Sequence, residues 1–88
     1  MYTVYVLSNP DGKLYVGQTA DFVKRFSRHN NNQEPYTRNK GPWSVVLQEQ
    51  YLTRGEAMIR EKYLKQGSGR RWLQEQTGLS AYQVTENR

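Results

Sequence analysis

The stretch Tyr2–Gly17, YTVYVLSNPDGKLYVG, decides the fold. Tyr2 to Leu7 is β-branched and aromatic, which at this length favours a strand over a helix. Asn9-Pro10-Asp11-Gly12 stops it: Pro10 presets a type I turn and Gly12 can take the left-handed position, so a three-residue hairpin with a glycine bulge follows. Leu14 to Gly17 then pairs back antiparallel. With Asn9 facing Lys13, Leu7 faces Tyr15 and Tyr5 faces Gly17. Tyr5 and Tyr15 become diagonal neighbours on one face, roughly 7–8 Å apart at the backbone. Gly17 leaves open space opposite Tyr5.

Working outward, Thr19 is the expected N-cap of a helix from Ala20 to His29, with Asp21 in its first turn. At 100° per residue, Phe22, Val23 and Phe26 form its apolar stripe and Lys24 and Arg28 point away. Arg25 and His29, one turn apart, flank the stripe and share a face over the sheet. Asn30 to Pro42 is rich in Asn, Gly and Pro, carries Arg38 and Lys40, and is a loop. Trp43 to Tyr51 alternates, with Trp43, Val45, Leu47 and Tyr51 on one side and Ser44, Gln48 and Gln50 on the other, as a third strand. Thr53-Arg54-Gly55-Glu56 has the capping-box spacing and predicts a helix from Arg54 to Gln66. Gly67 and Gly69 are expected to stop it, and Arg70 to Gln76 to form a short last helix ended by Gly78. The order ββαβα plus a short helix predicts a small mixed α/β (α+β) domain, a three-stranded antiparallel sheet flanked by helices. Residues 1–76 form the expected domain and 77–88 a tail packed on it.

Eighty-eight residues allow one domain. Seven Tyr, two Trp and two Phe in a chain only 35% hydrophobic argue against disorder. The absence of cysteine excludes disulfides, thiolate metal sites and Cys nucleophiles, and permits a reducing, cytoplasmic home. No apolar run approaches the roughly 20 residues of a membrane span, so no membrane partner is expected. A net charge of +5 and a pI near 9.7 point to a polyanion, nucleic acid first and anionic membrane behind it.

Glu61 is the most informative acid. On its helix it falls within about 60° of Ala57 and Leu64, so a carboxylate sits in an apolar stripe, where burial without a partner is costly. It is a salt bridge to a nearby Arg, a residue of a tilted, solvated helix, or a ligand for Mg²⁺, which takes only one or two protein carboxylates and completes its shell with water and phosphate. His29 is the sole histidine, which excludes a His-rich zinc site. Its alignment with Arg25 suits a phosphate site. Tyr5 and Tyr15 are either packed strand residues or a source of general base, and the second role needs a pKa of roughly 10 lowered by a metal or a cation. Lys24, Arg28, Arg38, Lys40, Lys65 and Arg70 are candidate phosphate contacts as a group. No phosphate-binding glycine loop and no serine elbow is present.

Thr3-Val4-Tyr5 and Tyr15-Val16-Gly17, with nine residues between them, followed by DFVKRFSRHN, resemble the two motifs of the GIY-YIG nuclease superfamily. HNN, YTRNKGPWSVV and EAMIREKYLKQGSGRRW extend the resemblance to small, single-domain, excinuclease-like members over Tyr2 to Leu73. The resemblance implies a metal-dependent endonuclease acting on DNA, with Mg²⁺ as cofactor and Mn²⁺ as substitute. It implies Tyr5 and Tyr15 as the motif tyrosines, one of which activates water, and Gly17 as the motif glycine. It also implies Arg25 as catalytic arginine, His29 as the histidine one turn later and Glu61 as the metal ligand. Thr and Val replace the first motif's Gly and Ile, and the asparagine that follows the glutamate in some branches has no counterpart. The competing expectations are a non-catalytic nucleic-acid-binding module of the same fold and a small interaction protein. With no room for a separate DNA-binding domain, the chain is expected to form a homodimer, to rely on a protein partner for specificity, or to cut weakly and unselectively.

Overall fold

In the computed structural model, which describes residues 1–78 and the backbone of Val84–Thr85, the hairpin has the register its turn dictates. β1 (Tyr2–Ser8) pairs antiparallel with β2 (Leu14–Thr19), Leu7 opposite Tyr15 and Tyr5 opposite Gly17. The turn closes through Gly12 N donating to Asn9 O at 2.9 Å, with Gly12 at φ 79°. The Asn9 side-chain oxygen accepts from the Asp11 and Lys13 amides.

The remaining elements are α1 (Phe22–Asn30), β3 (Ser44–Tyr51), α2 (Arg54–Leu64), α3 (Gly67–Thr77) and β4 (Val84–Thr85). Strand order is β3-β1-β2-β4, with β3 antiparallel to β1 and the two-residue β4 parallel to β2. The three antiparallel strands and three helices match the expected order.

β1 is interior to the sheet and buried on both faces, which explains its unbroken apolar run. One face carries Val4, Val6, Leu14 and Val16 against Ala57 and Leu64 of α2 and Leu73 of α3. The other carries Tyr5, Leu7 and Tyr15 with Trp43, covered by Phe22 and Phe26 of α1 and by Tyr36. The sheet thus separates an aliphatic core from an aromatic one, and the aromatic one holds the polar groups of interest.

Three local expectations need correction. Helix α1 starts at Phe22, capped by Asp21, whose carboxylate accepts from the Lys24 amide; Thr19 stays in β2 and its hydroxyl accepts from the Asp21 amide. Its buried stripe is accordingly Phe22, Phe26 and His29, while Val23 is 79% exposed. In β3, Val6 faces Leu47 but Leu7 faces Val45, a bulge that sends Leu47 and Tyr51 to the aliphatic face and leaves Val45 on the face of Trp43. The simple alternation of Trp43, Val45, Leu47 and Tyr51 is therefore broken at Val46.

The capping box at Thr53 and Glu56 opens α2 as expected, but α2 ends at Leu64 and α3 begins at Gly67, a full turn before Arg70. Gly67 and Gly69 lie inside α3. Gly69 permits contact: a Cβ there would collide with the Tyr63 carbonyl and come within 2.6 Å of Leu64 Cα, both backbone. Because backbone cannot step aside, Gly69→Ala is expected to cost about 3 kcal/mol or more and lower Tm by on the order of 10 °C. Gly67→Ala, where a Cβ meets nothing within 4 Å, should leave Tm unchanged or raise it in the same melting experiment.

Candidate active site

The hairpin register aims the Tyr5 phenol over Gly17. A Cβ at Gly17 would stand 2.6 Å from the Tyr5 hydroxyl and 3.2 Å from the Tyr15 ring, so the space the glycine leaves is filled by the phenol itself. From that position the Tyr5 hydroxyl is 2.9 Å from His29 Nε2, and His29 Nδ1 is 2.7 Å from Thr37 Oγ1. Tyr5, His29 and Thr37 are all fully buried. The Tyr15 ring packs edge-on against His29 at 4.7 Å and against Trp43 at 6.3 Å, while Tyr5 meets Tyr15 at 6.3 Å and Phe22 at 5.3 Å.

The loop between α1 and β3 holds this chain from outside. Trp43 Nε1 donates to the Thr37 carbonyl at 3.1 Å. The Asn30 side chain accepts from the Trp43 amide and donates to the Trp43 carbonyl. Asn9 Nδ2 donates to the Lys40 carbonyl, tying the loop to the hairpin turn. The segment that composition marks only as a loop is thus pinned at both ends, and it delivers Thr37.

Burial sets the protonation states. It pushes the Tyr5 phenol up to about 12, against the opposing pull of the Arg25 guanidinium, and it raises Tyr15 further still. It lowers His29 to about 4, so the imidazole is neutral and carries one proton. Because the neutral ring carries one proton, Tyr5 O–H donating to Nε2 goes with Nδ1–H donating to Thr37 Oγ1. Neither phenol meets the lowered pKa that a free general base needs, because burial outweighs the single cation beside Tyr5.

Arg25 and Arg28 share Glu34, at 3.7 and 2.8 Å. Lys24, Arg28, Arg38 and Lys40 are exposed. Lys65 is instead largely buried and donates to Glu61 at 3.0 Å, and Arg70 is half-buried on α3. Glu61 lies between Ala57 and Leu64 as its spacing requires, 15% exposed at the side chain, with Lys65 as an ion-pair partner. Its charge, like that of Glu34, adds to the upward shift of both phenols. The structure therefore gathers Tyr5, Tyr15, Arg25 and His29 around Gly17 and brings Glu61 within electrostatic reach from α2. Sequence reasoning missed Thr37, which carries no spacing signal, and Glu34, which is the only acid between Asp21 and Glu49 and so was open to notice.

No group of three or more metal-ligating side chains occurs among the described residues. A single partly sheltered carboxylate is a donor set that suits a cation whose shell is completed by water and substrate, and Glu61, 15% exposed at the side chain, is such a carboxylate. Among the described residues no helix is long and apolar enough to cross a membrane.

The site thus brings together a strand tyrosine bonded to a helix histidine and a second strand tyrosine two positions before the closely packed Gly17. A family model for the GIY-YIG catalytic domain matches residues 1–75, and the chain belongs to that nuclease family, whose members act on DNA and generally use divalent metals. It is similar to UPF0213 proteins of Staphylococcus saprophyticus and Staphylococcus epidermidis, each 40% identical over 63 residues that span 70% of this chain and 77% of theirs. It is also similar to the solution structure of a UPF0213 protein from Bacillus halodurans, at 34% identity and a TM-score of 0.54, covering 85% of this chain and 82% of that one.

The neutral imidazole has a measurable consequence. Between pH about 6.5 and about 4 the unfolded chain binds a proton on His29 that the native state refuses, so native stability falls as pH drops through that window and is fully present above it. The shift corresponds to about 3 kcal/mol. Denaturant unfolding from pH 7 to 4 should show this loss in the wild type, and His29→Gln should flatten it. In NMR spectra the single imidazole should not titrate above pH 5; a midpoint near 6.5 would contradict the buried assignment.

Proposed function

We propose that this protein is an endonuclease that hydrolyses DNA phosphodiester bonds with a divalent cation, Mg²⁺ or Mn²⁺, held by Glu61. The observation that carries the reading is the buried Tyr5–His29–Thr37 chain in a chain of the GIY-YIG nuclease family.

When bound, the cation supplies charge neutralisation and stabilises the leaving oxygen. Glu61 holds it together with water and the scissile phosphate. Arg25 exchanges its Glu34 partner for the phosphate and donates to oxygens on which charge builds in the transition state. Tyr5 is the general base, because its own proton already has an acceptor: as the hydroxyl takes a proton from the attacking water, it passes its own to His29 Nε2. His29 becomes imidazolium, with Nδ1–H held on Thr37. This concerted hand-over removes the need for a free phenolate in the resting protein. Tyr15, the phenol with the higher pKa, stays protonated and donates to the phosphate or the water.

Residues 1–76 are taken as the catalytic unit and 77–88 as its tail, with Val84–Thr85 alongside Leu14 and Tyr15 in support. A homodimer or a protein partner would supply selectivity for particular DNA structures.

Cleavage of supercoiled plasmid and branched DNA should require Mg²⁺ or Mn²⁺ and vanish with EDTA. Glu61→Gln and Arg25→Ala should each slow it about 10²–10³-fold, the usual scale for one electrostatic contact in a transition state. Wild-type rates in both variants would defeat the assignment. Absence of cleavage, with salt-sensitive binding unaffected by chelator, would make the protein a binding module.

A further inference from the structure

At the end of the sheet away from the hairpin turn, β1 begins, β2 ends, and the first turns of α1 and α2 stand on either side of a cleft of about 470 Å³. Its size is within the roughly 300–1,000 Å³ of ligand clefts, but its walls are not those of an apolar ligand site. Lys24, Arg25 and Arg28 line it from α1 and Arg54 from α2, against one carboxylate, Asp21. That carboxylate is engaged in capping α1 through the Lys24 amide. Arg25 and Arg28 have Glu34, whereas Lys24 and Arg54 form no ion pair among the described residues.

Four cations around a solvent-filled space repel one another, and an anion that enters relieves that repulsion with charge-assisted hydrogen bonds. The void is many times the roughly 30 Å³ of a water molecule and wider than a lone phosphate needs. Arg25 lines this wall, and its charge also acts on the Tyr5 phenol, so the cleft lies on the side from which Arg25 serves the proposed reacting centre. We propose that the cleft is a backbone-phosphate subsite, in which Lys24 and Arg54 grip, from opposite walls, the phosphodiester next to the one that is cut. The proposal rests on the nuclease reading for which bond reacts. It adds Arg54, which contributes from the start of α2 and whose part the sequence did not reveal. Such contacts fix the position of the strand and read no bases.

The test measures binding of a labelled duplex oligonucleotide against salt concentration, in EDTA throughout, for the wild type, Lys24→Ala, Arg54→Ala and Lys13→Ala. Lys13 lies beside the hairpin turn at the far end of the sheet and serves as the charge control. Lys24→Ala and Arg54→Ala should each weaken binding several-fold at low salt and reduce the slope of log K against log salt by about 0.9, one phosphate contact each. Lys13→Ala should leave the slope unchanged. Amide spectra of each variant establish that it is folded. Three results would overturn the proposal: wild-type slopes in both cleft variants, an equal loss in Lys13→Ala, or no duplex binding by the wild type. A fourth would be inorganic phosphate at matched ionic strength shifting the Lys24 and Arg54 amides where the duplex does not, which would mark a free-anion site. Chelated binding involves no cleavage, so these slopes can fail while cleavage persists, and cleavage can fail while the slopes stand.

Discussion

The hydrogen bond between Tyr5 and His29 crosses from the interior strand to α1 between two fully buried side chains. Both partners are polar and fully buried, and leaving either one unsatisfied would cost about 1–3 kcal/mol, so the strand, the helix and the loop that brings Thr37 are obliged to meet in one geometry. Gly17 makes the approach possible, since any side chain there would occupy the position of the phenol. The rings of Tyr15, Phe22 and Trp43 pack around the pair. The same burial that makes the bond structurally demanding also keeps the imidazole neutral, and a neutral imidazole is what can receive a proton from the phenol.

The two faces of the sheet divide the work. The aliphatic face, closed by α2 and α3, resembles an ordinary small core, and the Arg60 guanidinium reinforces its edge by pairing with Glu49 at 2.8 and 3.0 Å while stacking on Trp72. The aromatic face is the polar and chemically equipped one. Glu61 bridges the two, since it rises from the helix that closes the aliphatic core and yet influences both phenols. A carboxylate in the apolar stripe of a helix is tolerable there because Lys65, one turn on, shares its shelter.

Much of this was legible because it is local. The turn chemistry of Asn9 to Gly12 fixes the hairpin register, the register fixes which residues face Gly17, and the capping box at Thr53 sets the phase of α2 that turns Glu61 inward. What was not legible depends on competition or on distant contacts. Thr19 and Asp21 are both good caps, and the choice fell to Asp21 because β2 continues to Thr19. The bulge at Val46 lets Trp43 serve one face and Leu47 the other, which no alternating pattern announces. Gly69 looks like a helix breaker and is in fact the point where α3 rests on the end of α2. Thr37 belongs to the site only because Trp43 and Asn30 fold the loop back over His29, and Arg54 reaches the cationic cleft only because two helix starts converge there.

The proposed proton relay runs through Tyr5 and not through Tyr15, although the two phenols are neighbours on one face, both of them buried. Single-turnover DNA cleavage by Tyr5→Phe and Tyr15→Phe, each shown by NMR to retain the fold, separates them most directly. The relay predicts that Tyr5→Phe loses about 10²–10⁴-fold in rate, the range of a general base, while Tyr15→Phe cleaves measurably faster than Tyr5→Phe. Cleavage by Tyr5→Phe at the wild-type rate, or a greater loss in Tyr15→Phe, would contradict it.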